Sequence, residues 1–211
     1  MMSKLTLIVL LCLACGATAA VGQTTDLLLS EYVEGSGNNK ALEIYNGTED
    51  VINLGGYTIE RFSNGATTST SIALDAVDLG PGDAFVIVNT LSDAGLLALG
   101  DQANANINFN GDDAVVLMFG GTVVIDSFGR VGEDPGSFWS CSEGDTANHT
   151  LRRLSSICSG DTTPDDPFDP CDEWTFAPVD TFSGLGNHIA DCGAVSDDLY
   201  RSWGSLKADF R

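Results

Sequence analysis

Six short runs rich in β-branched and apolar residues recur along the chain, at 27–33, 41–45, 57–62, 84–89, 114–119 and 122–128, each bounded by Gly, Asn, Asp or Pro. Runs of this length separated by turn residues describe antiparallel strands, and their spacing fits a sandwich or barrel rather than a helical body. In 41–45, Leu42 and Ile44 point to one side while Ala41, Glu43 and Tyr45 point to the other, so this strand is expected to be half exposed. Gly120-Gly121 between two runs reads as a two-residue hairpin loop, because glycine readily supplies the positive φ such turns need. Asn110-Gly111 and the stretch from Leu79 through Gly80-Pro81-Gly82 to Asp83 are further turn signals. One helix is expected at 92–99, capped by Ser92 and packing Leu96, Leu97 and Leu99, with Gly95 weakening it.

The chain has 211 residues, with 30 Asp plus Glu against 9 Lys plus Arg, a formal charge of -21. Nucleic-acid backbones are therefore poor general partners, since that binding draws on Lys and Arg releasing counterions, and anionic bilayers are poor partners on the same ground. The hydrophobic fraction, 43%, is that of an ordinary globular protein, so the charge does not imply wholesale disorder.

Residues 1–19 read as an export signal: a short start carrying Lys4, an apolar run over 5–15, and the small-x-small site Ala17-Thr18-Ala19. The apolar run is too short to span a bilayer, and no transmembrane segment is expected. Lipidation at Cys15 is the alternative to cleavage near Ala19. Export implies a secreted, extracellular or cell-surface protein in an oxidising compartment. Cys141, Cys158, Cys171 and Cys192 are therefore expected as disulfides. Of three possible pairings the expected one is Cys141 with Cys158 and Cys171 with Cys192, which closes the shortest loops. The thiols lack the tight C-x2-C pairs of a structural zinc site. All four lie beyond residue 140, so the first half is expected to hold itself by burial and the last third to be loop-rich and stapled.

A family resemblance rests on particular residues. Leu29-Ser30-Glu31-Tyr32-Val33-Glu34-Gly35 followed by Asn38-Asn39-Lys40-Ala41-Leu42-Glu43-Ile44-Tyr45-Asn46 resembles the opening of the lamin-tail domain of secreted bacterial proteins. The likeness continues through Val51-Ile52-Asn53-Leu54-Gly55-Gly56-Tyr57, the turn at Gly80-Pro81, and Asn110-Gly111-Asp112-Asp113-Ala114, to Asn148-His149-Thr150-Leu151-Arg152-Arg153 and Glu173-Trp174. It implies an all-β, immunoglobulin-like antiparallel β-sandwich of about nine strands over 20–192, with residues 193–211 as a tail. In secreted multidomain proteins this module often stands beside an extracellular nuclease domain, for which this chain leaves no room after Cys192, so it is expected to be the module alone and not an enzyme.

Candidate chemistry is sparse. His149 and His188 are the two histidines, and both are read as structural: His149 as a polar group at a strand start bonded to backbone, His188 as part of a glycine-rich turn. The acidic, proline-stiffened segment 161–172 is the most suggestive ligand feature, because calcium takes six to eight oxygens. Asp161, Asp165, Asp166 and Asp169 are its candidate calcium ligands, with a solvated acidic loop as the plain alternative, and calcium is the one cofactor considered. Glu31, Glu34 and Glu43 are expected to point outward at a sandwich edge, discouraging sheet-to-sheet aggregation. The acceptor patterns at Asn46-Gly47-Thr48 and Asn148-His149-Thr150 are read as chance matches within turns. In the tail, Leu199, Trp203, Leu206 and Phe210 share one helical face behind a Ser196 cap, giving a short C-terminal amphipathic helix. The function expected is a binding or scaffolding module whose partner is an extracellular protein or matrix polymer. The alternative is a nuclease-associated accessory protein or a minimal divalent-metal hydrolase.

Overall fold

The computed structural model describes residues 24–192; the export signal at 1–19 and the helix expected within 193–211 lie outside the described residues. Among the described residues there are twelve strands: β1 Leu27–Glu34, β2 Lys40–Asn46, β3 Ile52–Asn53, β4 Tyr57–Phe62, β5 Thr70–Ala73, β6 Asp78–Leu79, β7 Ala84–Val88, β8 Gln102–Ala103, β9 Ala114–Phe119, β10 Val123–Phe128, β11 His149–Arg153 and β12 Trp174–Pro178. Two short helices, α1 Ala94–Leu97 and α2 Pro170–Glu173, and a 3-10 turn at Leu54–Gly56 complete the inventory. A six-stranded sheet in the order β12-β11-β1-β2-β7-β8 packs on a four-stranded sheet in the order β10-β9-β4-β5, with β3 and β6 forming a small ladder of their own. Every pairing is antiparallel except β7 with β8. The architecture is the expected immunoglobulin-like sandwich, with more strands than about nine because two-residue strands line its rims.

The six expected strands are all present within a residue or two of their ends, because each presents an apolar face to the interlayer space. Leu29, Tyr32, Leu42, Ile44, Phe85 and Ile87 from the large sheet meet Ile59, Ile72, Val115, Leu117 and Phe128 from the small one. Burying side chains of this size stabilises by about 1.5–3 kcal/mol each, which is the driving force for closing the two layers. Aromatic rings fill one end: Tyr32 stacks between Phe109 and Phe128 at 4.4 and 4.0 Å, and Trp174 stands edge-on to Phe128 at 5.1 Å. Gly120 and Gly121 turn the chain from β9 to β10 with φ of 58° and 69°, the left-handed values that the turn requires.

Four expectations are corrected. Helix α1 is shorter than 92–99 and is capped by Asp93, whose carboxylate accepts from the amides of Gly95 and Leu96; Ser92 instead donates to the Asn38 carbonyl. Of the three leucines expected to pack, only Leu96 is buried, and Leu99 lies beyond the helix. Strand β2 is buried along its whole length, because β1 and β7 flank it and residues 180–190 cover its outer face. Glu31, Glu34 and Glu43 are correspondingly 2%, 6% and 1% exposed on central strands, not outward at an edge. The disulfides join Cys141 to Cys171 and Cys158 to Cys192, closing separations of 30 and 34 residues, so neither bridge is the short loop expected. The path of the chain decides this: β11 runs back along β1 and β12 along β11 between the cysteines, bringing distant residues together and carrying neighbours apart.

Asn46, whose acceptor pattern is read as a chance match, has a structural role instead. It is fully buried, and its amide donates to the carbonyls of Asp50 and Leu79, which leaves no room for a glycan.

Candidate functional site

Strand β10 carries Asp126 at a place where alternation alone would not aim it. Its register against β9 shifts between Val124 and Asp126, and this bulge turns the carboxylate into the interior. There Asp126 accepts from the amides of Leu29 at 2.8 Å and Asp161 at 2.9 Å, and from the Arg153 guanidinium at 3.0 Å. Arg153 is itself completely buried, pairs also with Glu173 at 2.7 Å, and lies 4.9 Å above the Trp174 ring. Burial raises the Asp126 and Glu173 carboxyls above their usual range, and the attraction of Arg153 opposes the rise in both. One charged centre thus ties together β1, β10, β11, β12 and the segment leading into the aspartate loop. Breaking such a centre costs far more than forming it returns, because an unpaired buried charge remains. Sequence reading missed it: Asp126 sits mid-strand in an alternating pattern, and only the bulge reveals its direction.

The aspartate loop lies directly outside this centre. Asp161 accepts from the Ser127 hydroxyl at 2.6 Å and the Thr163 amide at 2.8 Å, and Asp169 caps α2 through the Cys171 amide at 2.9 Å. Asp161, Asp166 and Asp169 line a pocket of about 270 Å³ with Phe168, Asp172 and Glu173. Asp165 is not among the lining residues; its backbone carbonyl accepts from Arg130 at 2.8 Å. Two of the four candidate calcium ligands therefore have oxygens engaged in holding the loop. Among the described residues the only three metal-type side chains whose ligand atoms gather within 4.8 Å are Cys141, Asp169 and Cys171, and those two sulfurs are bonded to each other. The carboxylates make the pocket strongly acidic without forming a first coordination shell of their own.

A second polar group lies on the outer face of the large sheet. Glu31 on β1 and Glu43 on β2 are directly paired, and Arg152 on β11 faces Glu31 at 3.2 Å. Glu43 accepts from the Ser30 hydroxyl at 2.7 Å and the Gly186 amide at 2.5 Å. Burial lifts the Glu31 carboxyl to about 7, Arg152 pulling it down and Glu43 adding to the rise. Glu43 is raised too, again by burial, with the bonds from Ser30, Gly186 and Asn187 opposing. At the end of the β1–β2 hairpin, Lys40 is buried against Glu34 and the Gly35 carbonyl.

The histidines take the structural places expected. His149 opens β11 with Nδ1 2.8 Å from the Ala147 carbonyl and 3.4 Å from Asp145. His188 packs edge-on to Tyr45 at 4.9 Å, and burial lowers its pKa to about 4. Among the described residues no helix is long and apolar enough to cross a membrane.

Compared with known families, residues 20–132 match the Lamin Tail Domain. The match stops before β11 and β12, although β11 pairs with β1 inside the large sheet. No curated protein matches the chain.

Proposed function

The chain belongs to the lamin tail domain family, and from that membership we propose that it is a secreted, non-catalytic module that binds or scaffolds a protein or matrix polymer outside the cell. The single observation that carries this reading is where the perturbed ionisable groups spend their bonds. Shifted carboxyls and histidines often mark reacting centres, but structural ion pairs shift them as well. Asp126, Glu173, Glu31 and Glu43 are each occupied by an arginine, a backbone amide or a hydroxyl of the same chain. His188 faces Tyr45 rather than a cleft carboxylate. Two disulfides suit a protein that works in an oxidising compartment.

Within this reading calcium associates loosely with the pocket of Asp161, Asp166 and Asp169, with Asp165 nearby, drawn by charge density rather than by a built coordination shell. The competing reading, a minimal metal-dependent hydrolase using the same aspartates, is separated by one assay. Purified oxidised protein is incubated with plasmid DNA and with a phosphodiester ester in magnesium, manganese or calcium. The module reading expects turnover at the buffer rate. Sustained cleavage that disappears in Asp161→Asn or Asp166→Asn would overturn it.

A further inference from the structure

Residues 179–192 cross the outer face of the large sheet without joining any strand ladder, and they do so by contacts of three kinds. At the near end Asp180, with φ of 59°, accepts from the Ser36 amide at 2.9 Å, the Ser36 hydroxyl at 2.6 Å and the Asn39 amide at 3.1 Å. In the middle Phe182 and Leu185 pack on Val33, Ala41, Val86, Val88 and Leu96, while Gly184 and Gly186 sit on the carboxylates of Glu31 and Glu43. At the far end the Asp191 amide donates to the Ser155 carbonyl at 2.6 Å, and Cys192 is bonded to Cys158.

The middle contact is electrically unbalanced. Glu31 and Glu43 lie opposite each other in the ladder and share a single cation, Arg152. Like charges placed directly across two strands repel, and the covering segment shuts out the water that would screen them. Strand β7 brings no charged residue to this face, Lys40 is committed to Glu34, and the segment's own ionisable groups are Asp180, engaged with Ser36, His188, which is neutral near pH 7, and Asp191 at the far end beside Ser155. Covering both carboxylates is therefore favoured when one of them holds a proton.

We propose that residues 179–192 are a proton-linked strap, closed over the Glu31–Glu43–Arg152 group when that group is neutral, loosened when both glutamates are ionised, and latched at its far end by the Cys158–Cys192 disulfide. This inference does not depend on what the module binds. The sign follows from linkage: the closed state holds more protons than the open one, so closure weakens as pH rises through the neutral range. Opening would uncover a face with an acidic half around Glu31 and Glu43 and an apolar half around Val33, Ala41, Val86 and Val88.

Hydrogen exchange of the intact, oxidised protein, read by mass spectrometry on peptides spanning 179–192 and corrected for intrinsic exchange, tests it. Protection of this segment is expected to fall by roughly two- to threefold between about pH 6 and about pH 8, the Glu31 effect being partly offset by His188 taking up a proton when the strap opens, while β1 and β2 stay protected. Glu31→Gln is expected to keep the strap closed and flatten the pH dependence. Protection that does not change with pH in the natural chain, or a dependence unchanged in Glu31→Gln, would overturn the proton linkage. Gly184→Ala gives an independent handle, since an added Cβ would lie 2.3 Å from the Glu31 carboxylate and 2.5 Å from the Arg152 Nε. It should strip protection from 179–192 alone at both pH values, and unaltered protection would count against the strap. The double variant Cys158→Ser with Cys192→Ser should lower protection further at either pH; no change would refute the latch.

Discussion

Residues 24–132 hold together through strand pairing and an apolar interlayer, with none of the four paired cysteines among them. Residues 133–192 contribute only two strands of their own and are held by two disulfides, the Arg153 centre and a strap of hydrogen bonds. Yet β11 lies inside the large sheet beside β1, so the second region is built into the first rather than appended to it. The difference shows how a chain poor in local pairing can still complete a sandwich: covalent and ionic ties add to the apolar packing of Leu151 and Trp174. The family match ends at residue 132, whereas the large sheet continues through β11 and β12.

If that contrast is right, the largest effect comes from the centre that joins the two regions. Asp126→Ala leaves Arg153 buried without its main partner and is expected to destabilise by about 3–5 kcal/mol, measured by denaturant unfolding of the oxidised protein. A loss below about 1 kcal/mol would mean that the regions are not tied there. The double variant Cys141→Ser with Cys171→Ser should cost about 3.5 kcal/mol by loop entropy. That loss should be concentrated in exchange protection of β12 and the loops before it, with β4 and β9 unaffected. The smallest effect is calcium: millimolar calcium should raise the melting midpoint by no more than about 1 °C, magnesium acting alike, because the ion meets charge density rather than a shell. A large calcium-specific rise would move the aspartate loop from scaffold to site.

Much of this fold is legible in the sequence, and the parts that are not share a cause. The strands at 57–62 and 114–119 and the Gly120-Gly121 turn are local events, set by alternation and by backbone freedom, and they read directly. Glu31 and Glu43 look like outward charges because β1 and β2 alternate; what buries them is a segment more than a hundred residues later. Asp126 looks like one more polar position until the bulge beside it is seen. The disulfide pairing fails on the same ground, since loop length favours near neighbours while the return of β11 along β1 and of β12 along β11 decides which sulfurs meet. As for the candidate site, the aspartates are visible as a motif, but their engagement with Ser127, Thr163 and the α2 amide is not.

The central claim is that the buried carboxyls of this chain serve its architecture. The stability of the oxidised protein as a function of pH tests that most directly. Glu31, held near 7 in the folded chain against an ordinary 4.5, binds more protons folded than unfolded across that interval, and Glu43 acts in the same sense. Their stabilising contribution is therefore complete below about 4.5 and is lost as pH rises through about 7; His188 acts oppositely between about 4 and a little above 6.5. The account predicts a lower melting midpoint at about pH 8 than at about pH 6.5, Glu31 alone giving a fall of roughly 0.8 kcal/mol of stability, of which His188 offsets roughly half. A midpoint that is level or higher at about pH 8 would contradict it, for it would mean that these carboxyls ionise as freely in the folded chain as outside it.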